Sequence, residues 1–126
     1  MTQRALRVLV VDDNIDSAET LSELLPLWGH DVRLAPDGPG ALEAARAYEP
    51  DVMLLDIGLP GMDGFEVARR IRADGIAVRH LLAMTGYGDD ADREKAKQAG
   101  FDGHLVKPVD PDMLKKSLDG YAGGLA

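Results

Sequence analysis

Asp12, Asp13, Asp56, Thr85 and Lys107 come from four separate places in the chain but share one habit: each lies at or just beyond the end of a stretch that reads as a strand. The two adjacent aspartates come after Leu6–Val11, Asp56 after Val52–Leu55, Thr85 after Val78–Met84, and Lys107 after Phe101–Val106. If the chain brought them together, three carboxylates would repel one another and raise at least one pKa unless a cation sat among them. Oxygen ligands suit Mg²⁺, which keeps several waters and typically takes one or two carboxylates together with a phosphoryl oxygen. Lys107 would meet the negative charge left over, and the Thr85 hydroxyl would donate to a phosphoryl oxygen. Such a set is suited to holding a phosphoryl group.

The elements that must assemble it can be read from periodicity. Leu6–Val11 is aliphatic, with Arg7 as its one polar residue, as expected of an inner strand covered on both faces. Ile15, Ala18, Leu21, Leu24, Leu25 and Trp28 then recur at helical spacing, with capping residues available between Asp13 and Asp16 and a stop near Gly29. Asp31–Ala35 predicts a strand toward a sheet edge. Gly38–Tyr48 predicts a helix with Ala41, Leu42, Ala45 and Tyr48 inward, closed by Pro50. Asp51–Leu55 is the third strand, and Asp63 caps a third helix with Phe65, Ala68 and Ile71 inward, ended by Gly75.

Val78–Met84 is the fourth strand. The helix predicted over Asp89–Ala99 presents only Ala91, Ala96 and Ala99 inward, so it buries little area and docks least firmly. Phe101–Val106 predicts a fifth strand broken by Gly103, and Asp110–Leu118 a fifth helix with Met113, Leu114 and Leu118 inside. The stretch 120–126, with three glycines, is expected to fray as a tail or the stub of a linker. Strand and helix alternate five times at spacings suited to right-handed crossovers, which predicts a doubly wound α/β sandwich with a parallel five-stranded sheet. In such sheets ligands bind at the carboxyl ends of the strands, where all five polar residues fall.

A chain of 126 residues fits one domain, read here over 1–126 with its core at about 5–119. The absence of cysteine removes disulfides, thiolate metal sites and a thiol nucleophile. No signal peptide precedes Leu6–Val11 and no apolar run approaches membrane-spanning length, so the expectation is a cytoplasmic protein without membrane contact. A formal charge of -8 argues against nucleic acid as a partner of this domain. No GxxxxGK[ST] loop is present, and no GxGxxG follows the first strand, which disfavours a nucleoside phosphate. Nor is there a GxSxG elbow: Ser17, Ser22 and Ser117 all fall in predicted helices. His30, His80 and His104 are too widely spaced to suggest a metal triad, and the first two read as structural or surface residues.

Four motifs in order carry a family resemblance: VLVVDDN at 8–14, DVMLLDIGLPGMDG at 51–64, MTG at 84–86 and HLVKP at 104–108. The chain resembles the CheY-like receiver domain of two-component response regulators, in wording closest to receivers fused to hybrid histidine kinases. The resemblance implies strand order 2-1-3-4-5. It makes Asp56 the acceptor of a phosphoryl group from a phosphohistidine, assisted by Lys107 and Thr85. Asp12, Asp13, Asp56 and the backbone carbonyl of Gly58 would hold Mg²⁺, with Mn²⁺ as a substitute. Thr85 and His104 would form the switch, although the family carries an aromatic ring where this chain has an imidazole. Gly58 and Tyr87 match positions that set the phosphoaspartate lifetime, which is expected to exceed a few seconds, and the Lys107–Pro108 bond is expected to be cis.

The partners implied are a sensor or hybrid histidine kinase or a histidine phosphotransfer domain. The face made by helix four, strand five and helix five would signal and could pair two copies as a homodimer. The activity would be self-phosphorylation and autodephosphorylation rather than turnover of a free substrate. Two other classes compete: a pseudo-receiver that binds partners without phosphorylation, and a small-molecule phosphatase using Asp56 as nucleophile.

Overall fold

All five residues of the strand Val52–Asp56 are buried, and the rest of the molecule is layered around it. In the computed structural model, which describes residues 5–86 and 90–124, five strands and five helices alternate. The strands are β1 (Arg7–Val11), β2 (Asp31–Ala35), β3 (Val52–Asp56), β4 (His80–Thr85) and β5 (Gly103–Val106). The helices are α1 (Ile15–Leu27), α2 (Gly38–Tyr48), α3 (Gly64–Ala73), α4 (Asp90–Ala99) and α5 (Pro111–Gly124). Every strand pairing is parallel, in the order β2-β1-β3-β4-β5. The chain thus reverses direction across the sheet between β1 and β3, which opens a crevice at their carboxyl ends.

Two cores flank the sheet. Leu21 and Leu25 of α1 and Leu114, Leu118 and Ala122 of α5 cover Val8, Val10, Val52, Leu54, Leu82 and Met84 on one side. On the other, α2, α3 and α4 cover Leu9, Val11, Met53, Leu55, Leu81 and Ala83. The alternation of strand side chains between two apolar layers explains the unbroken apolar runs in the sequence. Three helices begin with a side-chain cap: Asn14 accepts from Ser17 N, Asp37 from Gly40 N and Asp63 from Glu66 N. Gly75, at φ 66°, follows α3 in the left-handed region that glycine adopts without strain.

The differences from the sequence reading are local. Ile15, expected inward, is 70% exposed, because the buried stripe of α1 begins at Ala18. Met113, also expected inward, is 62% exposed, since Leu114, Leu118 and Ala122 define the inner face of α5. That helix continues to Gly124 rather than fraying after Leu118: Ala122 is buried, and the Tyr121 ring stacks on His80 at a centroid distance of 3.9 Å. β5 starts at Gly103, because Phe101 N still bonds to Ala96 O and so closes α4.

β4 starts at His80, two residues later than expected. Just before it, Arg72 of α3 donates to Val78 O at 3.0 Å, to Gly100 O at 3.1 Å and to the Asp102 carboxylate at 2.9 Å. One guanidinium therefore fastens three segments. Among the described side chains of α4, only Ala96 and Ala99 are buried; the side chain of Ala91, also expected inward, lies outside the described residues.

Candidate functional site

β1 and β3 are neighbours in register, Val11 opposite Leu55, so the residues following each emerge side by side at the carboxyl edge. Asp12, Asp13 and Asp56 each bring a carboxylate oxygen within 4.8 Å of the others. Asp12 is 4% exposed and Asp56 8%, whereas Asp13 faces solvent. From the β5–α5 connection Lys107 reaches across, with Nζ 3.0 Å from Asp12 Oδ2 and 3.3 Å from Asp56 Oδ2. The Lys107–Pro108 peptide bond is cis, and Lys107 N donates to Thr85 O at 2.6 Å, which joins the β4 and β5 ends of the site.

Main-chain groups hold the carboxylates in place. Asp12 Oδ1 accepts from Asn14 N at 2.9 Å, and Asp56 Oδ1 from Gly58 N at 2.9 Å. Each aspartate is thus fixed by the loop it opens, with its second oxygen turned toward Lys107. Burial by itself would lower the pKa of the Lys107 ammonium. The contact with Asp12 and the charges of Asp56 and Asp12 outweigh that effect and hold it above the usual lysine value. Thr85 is 1% exposed, and its hydroxyl has no hydrogen-bond partner among the described residues. A buried hydroxyl without a partner is costly.

Asp12, Asp13, Asp56, Gly58, Thr85 and Lys107 therefore converge as the sequence suggested. His104 does not join the carboxylates. It pairs with Ala83 in the ladder and lies half-buried with Ala96 and Phe101 in a cavity of about 450 Å³ beneath α4. Strand alternation nevertheless places it on the same face of the sheet as Thr85. Tyr87 lies outside the described residues. Two residues not singled out from the sequence also shape the site. Asn14 both caps α1 and steadies Asp12 through its amide, and Gly64 packs so tightly that a Cβ there would lie 2.6 Å from the Asp56 carbonyl oxygen. The position of Gly64 immediately after the capping Asp63 was the available signal for close approach.

The donor set is all oxygen, clustered, and partly open to solvent at Asp13, which fits a hard divalent cation. The family model for the response regulator receiver domain matches residues 8–119. The chain belongs to that family. It is 41% identical over 109 residues to the DNA-binding response regulator MtrA of Mycobacterium tuberculosis, a match covering 86% of this chain and 46% of MtrA. This receiver therefore spans about half the length of the MtrA relatives it matches.

Among solved structures it is similar to the receiver domain of the sensor histidine kinase PA1611 of Pseudomonas aeruginosa, which has magnesium coordinated in its active site cleft. That likeness has TM-score 0.84 and 31% identity, and covers 95% of this chain and 99% of that one. It also resembles the receiver domain of the Saccharomyces cerevisiae response regulator Ssk1 in its co-crystal with the histidine phosphotransfer protein Ypd1. There the TM-score is 0.91 with 25% identity, covering 100% of this chain and 94% of that one. The receiver fold, its strand order and its place in two-component signalling follow from these matches. No helix among the described residues is long and apolar enough to cross a membrane.

Proposed function

We propose that Asp56 accepts a phosphoryl group from a phosphohistidine of a histidine kinase or a phosphotransfer domain. A carboxylate oxygen of Asp56 attacks phosphorus in line. A P–O bond forms as the P–N bond breaks, and the imidazole leaves with the bonding electron pair. The Lys107 ammonium, 3.3 Å from the Asp56 carboxylate, stands where charge gathers on the transferring oxygens. Asp12, Asp13, Asp56 and the Gly58 carbonyl would hold Mg²⁺, or Mn²⁺ in its place, and a bound cation supplies neutralisation of phosphoryl charge.

Once formed, the acyl phosphate adds about -1.5 to -2 charge beside Thr85, whose buried hydroxyl then has an acceptor within its reach. The Thr85 side moves toward the phosphoryl group, and the change passes to His104 and the α4–β5–α5 face, the surface offered to a partner or a second copy. Gly58 carries no side chain to hold an attacking water, so the phosphoaspartate outlasts a few seconds before hydrolysis. Location in the cytoplasm, where histidine kinases present their phosphohistidine, belongs to the same reading, as does the absence of direct nucleic-acid contact.

The observation that carries this proposal is Lys107 bridging two nearly buried carboxylates within a cluster of three. Intact mass measurement after incubation with acetyl phosphate and Mg²⁺ tests it: wild type gains one phosphoryl group and Asp56→Asn gains none. Equal gain by both, or none by either, overturns it.

A further inference from the structure

Gly38 opens α2 at a backbone conformation that any residue could adopt, and an L residue there would escape the conformational cost that glycine brings to a helix. The reason for glycine is space. A Cβ at position 38 would lie 2.9 Å from Met62 Cβ, 3.0 Å from the Met62 carbonyl oxygen and 3.1 Å from Met62 Cγ. The Cβ and the carbonyl oxygen are fixed by the main chain, so no rotamer change at Met62 relieves those two contacts, and the loop itself must shift.

That loop joins Asp56 to α3. Its ends are already pinned: Gly58 N donates to Asp56 Oδ1, and Gly64 N donates to Ile57 O while packing on the Asp56 carbonyl. Between those pins Leu59 is buried in the core, and Met62, half-buried, seats against the start of α2. We propose that Gly38 is a positioning residue for the phosphoacceptor loop: by lacking a side chain it lets Met62 seat on the start of α2 and so sets the Gly58 carbonyl relative to Asp13 and Asp56. The proposal rests on the reading of those groups as ligands of a divalent cation.

Titration of ¹⁵N-labelled protein with Mg²⁺, followed by amide shifts, is the direct test, paired with initial phosphorylation rates from acetyl phosphate across Mg²⁺ concentrations. Gly38→Ala raises the half-saturating Mg²⁺ concentration about tenfold, as expected when outer support of a metal site is lost. The rate at saturating Mg²⁺ largely recovers. Adding Met62→Gly to Gly38→Ala removes the Cβ and Cγ contacts, leaves the carbonyl contact, and brings half-saturation most of the way back to that of Met62→Gly alone.

Unchanged half-saturation in Gly38→Ala, or no rescue in the double variant, overturns the proposal. So does failure of single and double variants alike to fold, which would make Gly38 a purely structural residue. If wild type itself shows no saturable response to Mg²⁺ that Asp13→Asn weakens, the ligand reading falls and this role with it. Coupling of positions 38 and 62 in melting temperature would in that case still report the contact.

Discussion

Asp51 and Asp56 bracket the same buried strand, and they differ in what their carboxylates face. Asp51, at the amino edge, accepts from Arg7 N at 2.9 Å, so its charge serves a main-chain donor. Other groups along that edge also serve main-chain partners. Arg7 donates twice to Glu49 O, His30 Nδ1 accepts from Leu6 N, and Asp102 accepts from Leu81 N. Asp56, at the carboxyl edge, shares its surroundings with two more carboxylates, one lysine and an unpartnered hydroxyl. Polar groups at one end of β3 close the backbone ladder, and those at the other end face each other. Burial does not distinguish the two aspartates; partners do.

The comparison breaks most sharply at Asp56. Asp56→Asn should lose phosphorylation entirely by intact mass yet stay folded, and a variant that instead unfolds would place Asp56 with the structural aspartates. Lys107→Met should slow phosphorylation by about 10²–10³-fold, the range for removing a preorganised charge from a transition state, as measured by initial rates with acetyl phosphate. Asp51→Ala should do the reverse. It strands the Arg7 N–H, costs about 1–3 kcal/mol in urea unfolding, and leaves phosphorylation close to wild type.

The smallest effect is a pH slope. Burial lowers the pKa of His30, with the charge of Asp119 opposing it and that of Lys115 adding to it, so the folded protein takes up this proton only below the ordinary histidine value of 6.5. The unfolded chain binds more protons in that interval. Stability is therefore fully present above pH 6.5 and falls as pH drops through the lowered folded value. His30→Asn, which keeps an acceptor for Leu6 N, should flatten that slope in urea titrations. An unchanged slope would assign the dependence elsewhere, His80 being a half-buried imidazole whose pKa is also lowered chiefly by burial.

Much of the carboxyl edge was legible because its logic is one-dimensional: a stretch that reads as a strand ends and a polar residue follows, in four of the five strands. Parallel topology then aligns those ends without further information. What stayed hidden depends on neighbours distant in sequence. The last turn of α5 looked like a glycine-rich tail, and only the His80 ring beneath Tyr121 and the core around Ala122 explain why it stays helical. Ile15 and Met113 fit helical spacing yet sit off the buried stripe, because periodicity gives a face but not its centre. Gly38 reads as an ordinary helix-start residue until Met62 is placed against it.

Arg72 shows how little of this economy survives a like-charge exchange. Its flat fork sends separate nitrogens to Val78, Gly100 and Asp102 at once. Lysine would preserve the positive charge and the reach, but a lone ammonium cannot stand in three places with fixed directions. A substitution that composition-based comparison scores as silent would therefore loosen the tie between α3 and the segment that follows α4.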